Sequence, residues 1–277
     1  MDKKAEKTGL ILLLIIAIMI AGACGKSRQA DHENSSTEVV QTVPNETETV
    51  ETGEIKDEVT EEEESRSQET GAGIYSFLQG QKAWQKQKEW SGEWADYEEA
   101  GKVFGHFGCS FCCMANIYST LSGKECSPLD LFSYTKEVTA YAPTAENAAL
   151  GWGDMKTALE YAGISGELGN KPESMEAFET LMQQYRTAIV LISSNNDAAY
   201  WQNDGGHYVN IWDYNRATGE VFLADPGSPT KNRSNIPLQY VYDALKTSSS
   251  YQYLVIDGYS DETDQWKHDG ITETWFR

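Results

Sequence analysis

Gly108-Cys109-Ser110-Phe111-Cys112-Cys113-Met114-Ala115-Asn116 is the stretch whose reading decides the fold, because a glycine-led turn runs straight into an apolar segment. Phe111, Met114, Ala115, Tyr118 and Leu121 recur at helical spacing, so a helix starting at Cys109 buries one face, and Gly123 ends it. Cys109 stands at the helix start. Unpaired backbone N–H groups and the positive end of the helix dipole favour the thiolate there, which is the nucleophilic form of the side chain. The remainder of the chain reads as support for this thiol.

Toward the N-terminus the composition changes sharply near residue 74, beyond which lie all eight Trp and all fifteen Tyr. Residues 1–23 read as an export signal. Lys3, Lys4 and Lys7 precede an apolar run over 10–20, and the small residues Ala21, Gly22 and Ala23 lead to Cys24. The run is shorter than the roughly 20 apolar residues that span a bilayer comfortably. Ile20-Ala21-Gly22-Ala23-Cys24 resembles a bacterial lipobox, which implies lipidation of Cys24 and a place at the bacterial cell membrane surface. Ala21 departs from that pattern, and secretion with an unmodified Cys24 is the alternative. Residues 24–72 follow as an acidic tether: they are rich in Glu, Ser and Thr and too poor in apolar surface to fold. Within 31–70, fourteen acidic residues against Lys56 and Arg66 carry −12 of the net charge of −21. Such a segment repels itself and extends. With this sign and no basic stripe, nucleic acid is excluded as a partner.

Residues 73–257 form the folded domain, and 258–277 a tail that is either a docking segment or a packed end. Ser127-Pro128-Leu129-Asp130 carries an N-cap candidate, a proline at the first helical position and an acid in the first turn, so a second helix covers 128–137. Helices over 154–162 and 173–185 follow from apolar residues at three- and four-residue intervals. The period then changes. Residues 187–192 are a continuous aliphatic run suited to a strand buried on both faces. Residues 207–214 and 220–224 form a β-hairpin around a turn at 215–219, which places Asp225 beside His207. A helix over 238–245 and a last strand over 251–256 complete an α+β order, helices first and antiparallel sheet second.

A cysteine, a histidine nearly a hundred residues later and an acid across the histidine's hairpin suit nucleophilic catalysis. Gln79-Gly80-Gln81-Lys82-Ala83-Trp84, Gly108-Cys109, Leu121-Ser122-Gly123-Lys124, Ser127-Pro128, Gly206-His207-Tyr208-Val209 and Ala224-Asp225-Pro226 together resemble the double-glycine-leader-peptidase-like branch of the papain-like cysteine peptidases. The resemblance covers roughly 74–257. It implies a papain-like fold in which the N-terminal helices, including the one with the nucleophile, pack on a C-terminal antiparallel sheet. It also implies Cys109 as nucleophile, His207 as general base and acid, Asp225 as orienting acid, and a glutamine of the oxyanion hole, carried to Gln79 with Gln81 as the competing position. Trp152 and Gly206 are candidates for the substrate cleft, Trp152 equally a core residue. His106 is expected at the cleft rim.

The chain departs from the family where Gly-Cys-Gly-Pro-Thr is usual and Ser110-Phe111-Cys112 stands instead. Cys112 and Cys113 read as buried apolar residues or as disulfide formers, with Cys126 a possible mate. No cofactor is called for, and no Cys or His set at zinc spacing follows, so no metal is assigned. The expected function is a cell-envelope-tethered cysteine peptidase acting on a peptide or protein, with cell-wall peptide among the candidate substrates. A peptidoglycan endopeptidase or amidase, and a catalytically silent module that binds peptide or wall polymer, are the alternatives.

Overall fold

The computed structural model describes residues 71–194, 200–202 and 204–277. The expected export signal, Cys24 and the expected tether up to residue 70 lie outside the described residues. Helix α1 (Gln81–Gln85), two short 3-10 turns and a small two-stranded ladder, β1 (Glu98–Glu99) with β2 (Lys102–Val103), lead to helix α2 (Cys109–Ser122). Gly108 is required before α2, since a Cβ there would come 2.2 Å from the Phe104 ring. Gly123 closes α2 at φ +71°, the left-handed conformation that glycine adopts without strain. Helix α3 (Pro128–Val138) starts with a full capping box: Asp130 N–H donates to Ser127 Oγ, and Ser127 N–H donates to the Asp130 carboxylate.

Helices α4 (Trp152–Tyr161), which starts two residues before the expected 154–162, and α5 (Met175–Met182), shorter than the expected 173–185, come next, and between them lies a strand that periodicity does not show, β3 (Ala162–Gly169). Three glycines hide β3 from propensity; Gly163 has φ +77°, and a Cβ on Gly166 would stand 2.3 Å from the Val255 carbonyl. Strands β4 (Thr187–Ile192), β5 (His207–Asn215), β6 (Glu220–Ala224) and β7 (Ser234–Pro237), helix α6 (Leu238–Ala244) and strand β8 (Tyr253–Asp264) complete the domain. The second sheet runs β3-β8-β4-β5-β6-β7, antiparallel at every pairing. The fold is the expected α+β arrangement.

Two-residue alternation splits the core between the faces of this sheet. From β4, Ile189 and Leu191 join the side of α2, while Ala188, Val190 and Ile192 join the side of α5 and α6. Both sides being apolar, all six β4 residues are buried, as their unbroken aliphatic run implies.

The last strand also runs past residue 257, and the closing residues pack back onto the domain. Trp266 stacks on Tyr134 with ring centroids 4.7 Å apart, and Trp275 sits against Tyr75, Phe77 and Trp90. Phe276 N–H donates to the Ser91 carbonyl at 2.9 Å. Residues 258–277 are a packed end. No helix among the described residues is long and apolar enough to cross a membrane.

Candidate active site

Cys109 is the first residue of α2 and keeps partial exposure, whereas the next ten residues are buried. The departure at Ser110-Phe111 leaves the helix start intact, because Phe111 fills an aromatic cluster with Phe104, Phe107, Phe132 and Tyr141. Burial by itself raises the Cys109 thiol. The hydrogen bond and charge of His207, with the backbone N–H groups of Tyr208 and Ser110, outweigh it and hold the thiol below its ordinary range.

His207 opens β5 and is buried. Its Nε2 lies 2.7 Å from Asp225 Oδ1, which leaves Nδ1 for the thiol with which the ring is hydrogen-bonded. Burial works against the imidazolium, but the Asp225 charge and hydrogen bond dominate and raise His207 well above its ordinary value. Asp225 comes directly after β6. The antiparallel register that pairs Asn210 with Ala224 carries the residues after Ala224 alongside the start of β5. Its carboxylate accepts from His207, from Gly227 N–H at 2.9 Å on Oδ1, and from Trp201 Nε1–H at 3.1 Å on Oδ2. Burial alone would push this carboxyl up; His207 and these donors hold it below the usual carboxylate range.

Gln79 is tied in by its N–H to the Pro226 carbonyl at 2.9 Å and by Nε2–H to the Gly105 carbonyl at 2.6 Å. An amide nitrogen has two hydrogens, so one remains for a ligand. Gln79 shares with His207, Asp225, Trp201, Asp204 and Lys231 the wall of a polar cleft of about 380 Å³. Gln81 points elsewhere, its Nε2–H donating to exposed Asp96. It lines a second cleft of about 310 Å³, with exposed His106 on its wall.

Cys109, His207, Asp225 and Gln79 are thus brought to one place. The two expected substrate contacts are not on that cleft wall. Trp152 is buried edge-on against Tyr208, its Nε1–H donating to Ser249 Oγ at 3.2 Å, because an indole at the first turn of α4 is packed under β5. Gly206 is exposed beside His207, and a Cβ there would meet Lys246 Nζ at 2.7 Å. Cys112, Cys113 and Cys126 are free and buried, without the disulfide that was open to them. Burial pushes all three thiols far up, so they do not compete as nucleophiles.

Trp201 and Gly227 escape a reading of the sequence. A Cβ on Gly227 would stand 3.0 Å from His207 Cε1 and Nε2, so glycine is what lets the chain pass the imidazole. A tryptophan in a polar loop just before Gly205-Gly206-His207 is a usable signal, since a buried indole N–H requires an acceptor. No group of His, Cys, Asp or Glu among the described residues is arranged to hold a metal ion.

The fold is α+β, with helices packed on an antiparallel sheet. No family model and no curated protein matches the chain. Solved structures do match. The N-terminal peptidase C39 like domain of the toxin secretion ATP-binding protein from Vibrio parahaemolyticus aligns at 17% identity and a TM-score of 0.35, over 54% of this chain and 96% of that one. A chain assigned as a C39-like peptidase from Bacillus anthracis aligns at 13% identity and a TM-score of 0.36, over 55% and 90% respectively.

Proposed function

We propose that this domain is a papain-like cysteine peptidase that hydrolyses peptide or amide bonds through Cys109, His207 and Asp225. The observation that carries the reading is the 2.7 Å contact between His207 Nε2 and Asp225 Oδ1, which turns the other ring nitrogen to a thiol at a helix start. The Cys109 thiolate attacks the carbonyl carbon and the C=O pair moves onto oxygen, which takes hydrogen bonds from Cys109 N–H and Gln79 Nε2–H. The imidazolium gives its Nδ1 proton to the departing amine as the C–N bond breaks and a thioester remains. Water then gives one proton to Nδ1 and attacks the thioester; the acid product leaves and the thiolate returns with the imidazolium. Asp225 holds the ring orientation throughout.

The rate rises as the thiol deprotonates, below the ordinary thiol range, and falls as the imidazolium deprotonates, above the ordinary histidine value, so a flat-topped profile is expected between them. Exposure of the protein to a peptidyl fluoromethyl ketone, followed by mass spectrometry, tests the reading: a covalent adduct at Cys109 supports it, and an unmodified Cys109 with no hydrolysis of a peptide library rejects it. New amine ends in purified cell wall but not in the library would select the wall-hydrolase alternative.

The envelope location rests on Lys3 to Cys24 and the acidic tether. Release from membranes by detergent alone, lost in Cys24→Ala, is the expected behaviour of a lipid-anchored form.

A further inference from the structure

Between Tyr208 and Trp212, which face the α2 side of the sheet, β5 carries Asn210, and its side chain is fully buried. It meets Asn116 of α2, also fully buried. Asn116 Nδ2–H donates to Asn210 Oδ1 at 2.9 Å, and Asn210 Nδ2–H donates to the Cys113 carbonyl at 3.3 Å. Asn116 Oδ1 accepts the backbone N–H of Phe77 at 2.8 Å. Each end of the chain of bonds lies close to a group of the active site on the same segment. Phe77 is two residues before Gln79, Asn210 is three after His207, and Asn116 is seven after Cys109, two turns along the same face of α2.

Apolar packing of α2 on the sheet is non-directional and tolerates sliding or rotation of the helix. Directed bonds do not, and a buried amide left unpaired by a slip is penalised. We propose that Asn116 and Asn210 are positioning residues: a buried amide clamp that sets the register of α2 against β5 and the Gln79 segment, and with it the mutual placement of Cys109, His207 and Gln79. The inference deepens the reading of Cys109 as the nucleophile and rests on it for its functional meaning.

The test compares the full-length protein with Asn210→Ala, Asn116→Ala and the milder Asn210→Ser, whose hydroxyl is too short to bridge both neighbours. Val221→Ala, in the core on the other face of the sheet, is the control for lost stability. Three quantities are read: melting temperature, the iodoacetamide rate at Cys109 from pH 5 to 9, and hydrogen exchange over residues 74–80. The asparagine variants are expected to shift the acid limb of the alkylation profile up by about one pH unit, which is about a tenfold loss of thiolate on that limb. Exchange over 74–80 is expected to rise in Asn210→Ala and Asn210→Ser, although the substitution is on a different segment. Val221→Ala should lower the melting temperature and move neither. Asparagine variants that melt earlier yet keep the parent alkylation profile and the parent exchange over 74–80 overturn the clamp. If the parent protein itself alkylates like a simple thiol, the peptidase reading falls, and exchange over 74–80 alone decides the clamp: a rise supports it, no rise overturns it. Should the alanine variants not fold, Asn210→Ser gives the same decision.

Discussion

His207–Asp225 and His268–Asp130 are two histidine–aspartate pairs in one domain, and they serve different ends. Both histidines are raised above their ordinary value. In the first pair the ring is buried, Asp225 is sealed by Trp201 and Gly227, and the free ring nitrogen meets a thiol at a helix start. In the second, His268 Nε2 lies 3.2 Å from Asp130 Oδ2, and the ring stacks on Trp266 with centroids 4.5 Å apart. Asp130 is also the capping-box residue of α3, so that pair fastens the closing segment to a helix start. What separates the pair proposed as catalytic from the structural one is the third partner: a thiol in one case, an indole face in the other.

Removing the imidazole of the first pair is the most damaging way to break the contrast. His207→Ala is expected to lower peptide hydrolysis by up to about four orders of magnitude, and to return Cys109 alkylation toward that of a simple thiol, as read by mass spectrometry of the alkylated protein across pH. Asp225→Asn keeps a hydrogen-bond acceptor but removes the charge that raises His207. A loss of about a hundredfold is expected, with the alkaline limb of the rate profile moving down in pH. An unmoved limb would count against the Asp225 charge as its cause.

Trp201→Phe sharpens the comparison by touching only the support of the acid. One donor to the carboxylate goes, a charge-assisted bond of about 1.5–3 kcal/mol. Rate and melting temperature should both fall by less than in Asp225→Asn, and the alkaline limb should move the other way if at all, since a carboxylate with fewer donors holds its proton partner harder. Smallest is the effect at the second pair. The Asp130 carboxylate beside the ring is the first cause of the raised His268, opposed by burial. A raised folded-state value means that the contribution is complete below the ordinary value of about 6.5 and fades as pH climbs through the folded one. For a half-buried pair this is about 0–1 kcal/mol. His268→Ala should therefore flatten the melting temperature between pH 6 and 8 and leave Cys109 alkylation untouched.

Local rules made much of the molecule legible. The start of α2, its glycine stop, the capping box of α3, the aliphatic β4 and the β5–β6 hairpin are all short-range sequence patterns, and they place Cys109, His207 and Asp225. Strand β3 stayed hidden because glycine is a poor strand former, and its existence depends on pairing with β8, far along the chain. The packed end stayed undecided for a related reason: Trp266 and Trp275 find their partners on α3 and on the segments either side of α1, which no window around them contains.

The sequence by itself therefore determined most of the helices and strands, their order and the residue types of the proposed nucleophilic site, because helix starts, caps and two-residue periods depend on near neighbours. The tertiary structure alone decided which glutamine faces the cleft, that Trp152 is packed away from it, and that Trp201, Gly227 and the Asn116–Asn210 pair hold the site. Each of those depends on a contact between segments distant in the chain, where burial and hydrogen-bond direction, not local preference, select the partner.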